Sequence, residues 1–399
     1  MNDRVQRPVA VIGADSPIGL TVVRELGRHG VPVIAVGRSD RALARFSRHT
    51  RHFLRNAAPL ADWLPAFAAE QGLGAVMAIS ESQLLQLAPL RGKLGDCRVL
   101  CPTPDALALV LDKQRTLDLA ARLGLDVPST WQPRQGEDFA AMAAGQSYPV
   151  AVKWADPNRV ADALTAQGLT LEKVEYAAAP RRLLALLARY DQLGVWPLVQ
   201  TWCPGRGLGQ MLHMHRGEAT LRFQHRRLRE WPPSGGTSTF CAAEPQSAHA
   251  AQMAASERLL QAMEWTGPAM VEYRHDPATG RYWLMEVNGR FWGSIPLASH
   301  CGAAFGWETV RRGVLDGADA AQHPWKMRRA RYLIPDTKHL AAVLCDGSLP
   351  LAERLRRLGR FLADFLDPRV RWFVWSWRDP GPFFGDLAGV LRKLARRES

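Results

Sequence analysis

A chain of 399 residues exceeds the roughly 250 to 300 at which a single core stops growing, so two or three packed units are expected. Hydrophobic residues make up 47% and charged residues 22%, a globular composition, and no apolar run approaches the roughly 20 residues that a membrane-crossing helix needs. The net charge of +13 is concentrated at one end: residues 320–399 hold sixteen Lys/Arg against eight Asp/Glu. That end is either a solvated basic face or a contact for something acidic.

The opening MNDRVQRPVAVIG carries an acid and runs straight into a strand pattern, which argues against an export signal. Six cysteines without a CxxC pair indicate neither a disulfide framework nor a zinc knuckle; they read as reduced thiols of a cytoplasmic protein. PVAVIG (8–13), the helical IGLTVVRELGRHG and VPVIAVG form a βαβ opening, continued by strands at Ala75–Ile79 and Arg98–Cys101. This predicts a small parallel α/β domain over the first hundred residues. The glycines of GADSPIG fit a dinucleotide fingerprint poorly, because Asp15 stands where GxGxxG needs glycine, and a tight structural turn is expected instead.

Helical spacing from Thr103 to Gly124 ends at VPST, a break into a new unit. Strands follow at YPVAVKW (148–154) and VWPLVQTW (195–202), bracketing a helix near residues 179–193. HMHR and EATLRFQHRRL lead to a Gly-rich stretch and a helix over 248–263. The strands AMVEYRHD (269–276) and RYWLMEVN (281–288) are joined by the turn PATG.

The chemistry concentrates on this hairpin. Glu286 and Asn288 are two apart and share a face, and Glu272 lies on the neighbouring strand. Two carboxylates and an amide oxygen among apolar residues suit a hard cation such as magnesium, with manganese the alternative. Arg290 follows, a guanidinium for a phosphoryl or carboxylate oxygen. Lys113 and Lys153 supply charge for a triphosphate; Lys153 in the apolar run YPVAVKW needs an anionic partner.

The succession LDK, LGLDVPST, YPVAVK, LVQTWCPG, VEY, LMEVNGRFWGS, together with HRRLREWPPSGGTST, resembles the ATP-grasp superfamily, in particular its carboxylate-amine ligase-like members. The resemblance spans roughly residues 8–310. It implies an α/β fold, α+β in the catalytic part, with a Rossmann-like N-terminal domain (1–105), a linker helix and lid (106–198), a catalytic domain (199–320) and a basic, aromatic C-terminal extension (321–399). It also implies that the backbone of Gln200, Thr201 and Trp202 reads adenine, that the two lysines touch phosphates, and that Glu272, Glu286 and Asn288 hold magnesium. The acid that many members place for the ribose is Gly207 here, and Gln210 is the substitute.

Arg226 or Arg227, before the loop SGGTST, is expected to stabilise an acyl phosphate, with alternation turning one of the two inward. His225 reads as a structural histidine, and His213 with His215 lack a third zinc ligand. Glu81 is placed at a strand end, open to a substrate amine. The implied reaction joins a small-molecule carboxylate to an amine at the expense of ATP. A carboxylation or carbamoylation, and a non-catalytic ATP-binding assembly or regulatory module, are the rivals. No specific nucleic acid is expected, an oligomer is compatible with the sequence, and the tail either packs on the protein, docks a partner or rests on an anionic membrane surface.

Overall fold

The computed structural model describes residues 7–172, 174–233, 236–315 and 325–395. The strands, in chain order, are β1 Val9–Ile12, β2 Val33–Gly37, β3 Thr50–Arg55, β4 Ala75–Ala78 and β5 Arg98–Leu100, then β6 Thr130–Trp131, β7 Val150–Lys153, β8 Glu175–Ala177 and β9 Leu198–Thr201. They continue with β10 Arg206–His215, β11 Glu218–Trp231, β12 Thr237–Ala243, β13 Gly267–Asp276, β14 Arg281–Asn288, β15 Arg329–Arg331 and β16 Val370–Trp372. Among the described residues these form three sheets, ordered β3-β2-β1-β4-β5, β6-β9-β7-β8 and β14-β13-β10-β11-β12-β15-β16.

The first sheet is parallel throughout, with Val9 opposite both Val33 and Ala75. Such a sheet buries both faces, which is why VAVI and VIAVG are unbroken apolar runs. The turn after β1 is closed by the protein's own groups. Asp15 accepts the Arg38 amide at 3.0 Å and that of Ser39 at 3.3 Å, and Ser16 caps the helix Pro17–Arg28. Gly13 has φ +107°, and a Cβ there would stand 2.3 Å from Ile79 Cγ1, so only glycine fits.

By its contacts the chain forms two compact units. The first comprises Met1–Leu107, Gly209–Met270 and Asn288–Ser399; the second comprises Ala108–Leu208 and Val271–Val287. The first has a core running from Val9, Val11 and Leu20 to Phe291, Trp292 and Phe305. The second is built around Trp131, Val150, Val152, Leu183 and Val199. The expected single helix over 103–124 is two helices, Pro104–Leu111 and Lys113–Arg122. Asp112 breaks the run: it is extended at ψ 103° and its carboxylate caps the second helix at the Arg115 amide. No helix among the described residues is long and apolar enough to cross a membrane.

Candidate functional site

The four-stranded sheet of the second unit sorts its side chains by alternation. Val150 and Val152 of β7 point into the core with Val199 of β9 and Trp131 of β6. The residues between them face the other way. Ala151 is opposite Gln200, Lys153 is opposite Leu198, and Thr130 is opposite Gln200 on the other flank. Thr130, Gln200 and Lys153 therefore share one face, because cross-strand partners point to the same side.

Gln200 is fully buried, and its amide orientation follows from the network around it. The Thr130 hydroxyl donates to the Pro128 carbonyl at 2.9 Å, so it accepts from Gln200 Nε2, also at 2.9 Å. Gln200 Oε1 is left as a buried acceptor with no hydrogen-bond partner. A buried acceptor of this kind calls for a donor that the chain does not supply.

Lys153 is half-buried, and desolvation pulls its ammonium down to about 8, against the attraction of Glu286 and Glu272 and with the repulsion of Lys113. Lys113, the first residue of its helix, donates to the Trp154 carbonyl at 3.2 Å and stands 4.0 Å from Glu286 Oε2. The second unit thus gathers four of the sequence-designated residues: two lysines and two glutamates whose formal charges cancel. Magnesium-bound ATP, with a net charge of about −2, would meet lysines on one side and hard oxygen donors on the other. Among the described residues no three His, Cys, Asp or Glu side chains are grouped to hold a metal. A two-carboxylate magnesium site completed by phosphate and water oxygens needs no third.

Two expectations about nucleotide contacts are narrowed by the structure. The amides of Thr201 and Trp202 already donate to the carbonyls of Ser129 and Pro149, at 3.0 and 3.1 Å, so these N–H groups are not available to read a base. Gln210 is fully buried in the first unit, where Nε2 serves Gln224 and the His249 carbonyl and Oε1 accepts from Ser256. It is a core amide, not a ribose contact.

In the first unit, Asn288 ends β14 and its Oδ1 accepts from Arg290 at 2.9 Å. Arg290 also pairs with Glu81 at 3.1 Å. Glu81 does not end a strand; it begins the helix Glu81–Leu87, capped by Ser80, and its carboxylate is engaged by Arg290 rather than open to an amine. Arg227 is the more buried arginine of its pair. It contacts the Gly236 carbonyl at 3.2 Å and Glu230 at 3.5 Å, while Arg226 pairs with Glu244. Of the loop SGGTST, Ser234 and Gly235 lie outside the described residues, and Thr237–Thr239 belong to β12.

His225 is buried against Ser294, 2.7 Å away, and burial pushes its imidazole down to about 3. His213 bonds Thr220 and is likewise pushed to about 3 by burial. A cavity of about 820 Å³ in this unit is lined by, among others, Arg7, Arg91, Arg98, Arg290 and Arg312 against the single acid Asp96, a cationic wall.

No family model and no curated protein matches the chain. Solved structures do. The biotin carboxylase domain of Hydrogenobacter thermophilus 2-oxoglutarate carboxylase, in complex with MgADP, ADP and bicarbonate, superposes with a TM-score of 0.62 at 13% identity, over 81% of this chain and 72% of that one. The L-amino acid ligase of Bacillus licheniformis gives 0.60 at 15%, over 80% and 78%. The N5-carboxyaminoimidazole ribonucleotide synthetase of Thermus thermophilus gives 0.62 at 16%, over 80% and 82%. The fold is ATP-grasp. The residue that sequence reasoning undervalued is the Gln200 side chain. Its only sequence signal was a polar residue inside the apolar run PLVQTW.

Proposed function

We propose that this chain is a Mg-ATP-dependent ligase that converts a substrate carboxylate into an acyl phosphate and joins it to an amine. The observation that carries the reading is the shared face of the β6-β9-β7-β8 sheet, where a buried unpaired acceptor, Gln200 Oε1, and the Lys153 ammonium lie beside Lys113, Glu272 and Glu286. The exocyclic amine of adenine is the donor that Gln200 lacks, and Lys113 and Lys153 neutralise phosphate oxygens. Glu272, Glu286 and Asn288 hold magnesium, which supplies further positive charge there. The cationic cavity beside Arg290 suits a carboxylate substrate.

In the first step a carboxylate oxygen attacks the γ-phosphorus, the bond to the bridging oxygen breaks, and ADP leaves. The amine nitrogen then attacks the acyl carbon, phosphate departs with the electron pair, and the proton passes to solvent. Arg290, and Arg226 or Arg227, offset the negative charge as it moves. The presence of ADP and magnesium in one structural neighbour, and the naming of another as an amino acid ligase, support this reading. The bicarbonate in the first neighbour favours one rival, in which bicarbonate is the acid and the product is carboxylated. Six free cysteines fit a reducing, cytoplasmic setting.

The test is ADP release from Mg-ATP with a panel of carboxylic acids, bicarbonate and amines, the products being weighed by mass spectrometry. Glu286→Gln should lower turnover by about a hundredfold or more. Unchanged turnover in that variant would break the metal assignment, and a panel that never releases ADP would remove the ligase reading.

A further inference from the structure

The C-terminal extension carries an apolar surface that the ligase reading leaves unused. Half of the large apolar side chains exposed among the described residues, eight of sixteen, fall between Leu351 and Leu387. In the helix Leu351–Ala363 they are not scattered. Leu351, Leu355, Leu358 and Leu362 recur at helical spacing and form one stripe, continued by Leu366 just beyond the helix. Leu351, Leu355 and Leu362 are each more than half exposed, and Leu366 is 86% exposed. The buried side of the helix is held instead by Phe361, which packs under the Arg331 guanidinium at 3.9 Å.

The surface continues onto the following segment. Phe365, Trp375, Phe383 and Leu387 line one cavity of about 250 Å³, and exposed Trp377 and Phe384 pack against Trp375 at ring distances of 5.0 and 6.1 Å. The charge around this surface leans to the basic side. The described side chains of 351–389 hold seven arginines and five Asp/Glu, a difference of +2. The acids are largely spent: Glu353, Asp364, Asp367 and Asp379 are all in ion pairs. Arg360 and Arg378 are exposed and make no ion pair among the described residues.

We propose that the Leu351–Leu366 stripe and the Trp375–Leu387 segment together dock this protein on an anionic lipid bilayer. The leucines and Trp377 enter the headgroup boundary, and the arginines meet lipid phosphates. An amphipathic helix with an apolar stripe and a basic polar face is the form such in-plane binding takes. A second copy of the chain is the poorer occupant, since pairing two such surfaces would set arginines against arginines.

The experiment is sedimentation of the full chain with vesicles, using phosphatidylcholine alone or mixed with phosphatidylglycerol, at low and high salt. Binding should appear on the anionic vesicles, fall with salt, and be nearly absent on phosphatidylcholine. The double variant Leu355→Asp, Leu362→Asp and the separate variant Arg360→Glu, Arg378→Glu should each reduce partitioning by about tenfold or more. Their melting temperatures and Mg-ADP binding report that they are folded. Equal binding to both vesicle types, or partitioning untouched by either folded variant, overturns the proposal. So does a concentration-dependent dimer that the leucine variant abolishes while lipid binding is absent. No readout depends on ligation, so the ligase reading stands or falls separately.

Discussion

Replacing Gln200 by leucine keeps the volume and removes the amide. In the ligand-free protein the change is close to neutral: it relieves a buried unpaired acceptor, worth about 1 to 3 kcal/mol, and forfeits the 2.9 Å bond to Thr130, worth about 1 kcal/mol. The melting temperature should therefore stay level or rise. Nucleotide binding should move the other way. Once adenine donates to Oε1, loss of that bond removes about 1 to 2 kcal/mol, a fall in affinity of roughly 5- to 30-fold. Selectivity should change with it, because guanine presents an acceptor where adenine presents a donor, and only the wild-type amide penalises that swap. Calorimetric titration of wild type and Gln200→Leu with Mg-ADP and Mg-GDP measures both quantities. If the variant binds Mg-ADP as tightly as wild type and its ADP/GDP ratio does not shrink, the assignment of the sheet face to a purine amine is wrong.

Lys153 should make nucleotide binding take up protons above neutrality. Its ammonium titrates at about 8 in the ligand-free protein, and phosphate oxygens beside it favour the charged form, so binding at about pH 8.5 should absorb a fraction of a proton and at about pH 6.5 none. Calorimetry in buffers of different ionisation enthalpy reads the uptake, which Lys153→Met should abolish. The sign for stability is opposite to that of a paired lysine. With a folded value below the ordinary 10.5, the group adds ligand-free stability as pH rises from about 8 towards 10.5 and loses it as pH falls through 8. Asp336 should prove the most costly acid to remove. It is fully buried and accepts from Arg229, Arg331 and Thr239, so Asp336→Ala leaves the buried Arg331 without a carboxylate and Arg229 with Asp364 alone, and should cost about 3 to 5 kcal/mol in urea unfolding.

Alternation alone nominated part of the candidate site. Glu286 and Asn288 at i and i+2, and a lysine inside YPVAVKW, are one-strand patterns that need no knowledge of distant chain. What was hidden depended on contacts far along the sequence. The orientation of the Gln200 amide is dictated by Thr130, 70 residues earlier, and Gln210 is taken up by a serine 46 residues on. Strand β3, TRHFLR, escaped notice because it edges its sheet with exposed polar side chains and shows no apolar run. The helix break at Asp112 was masked by apolar spacing that continues unbroken across it. In the extension the aromatics were visible, but not that Phe383 packs inward while Trp377 and Phe384 face outward.

One clasp ties the extension to the start of the chain. Asp379 accepts from Arg24 at 2.8 Å, from the Ser47 hydroxyl at 2.7 Å and from the Arg48 amide at 2.8 Å, with 331 residues between the last pair. Until that aspartate exists, Arg24 is a cation in an apolar setting without its counterion. On a ribosome adding roughly 5 to 20 residues per second, the wait is on the order of 20 to 70 seconds. The helix Pro17–Arg28 is translated early, yet its Arg24 is neutralised only when residue 379 has been made, and a nascent chain arrested before that point should present this basic socket to chaperones still open.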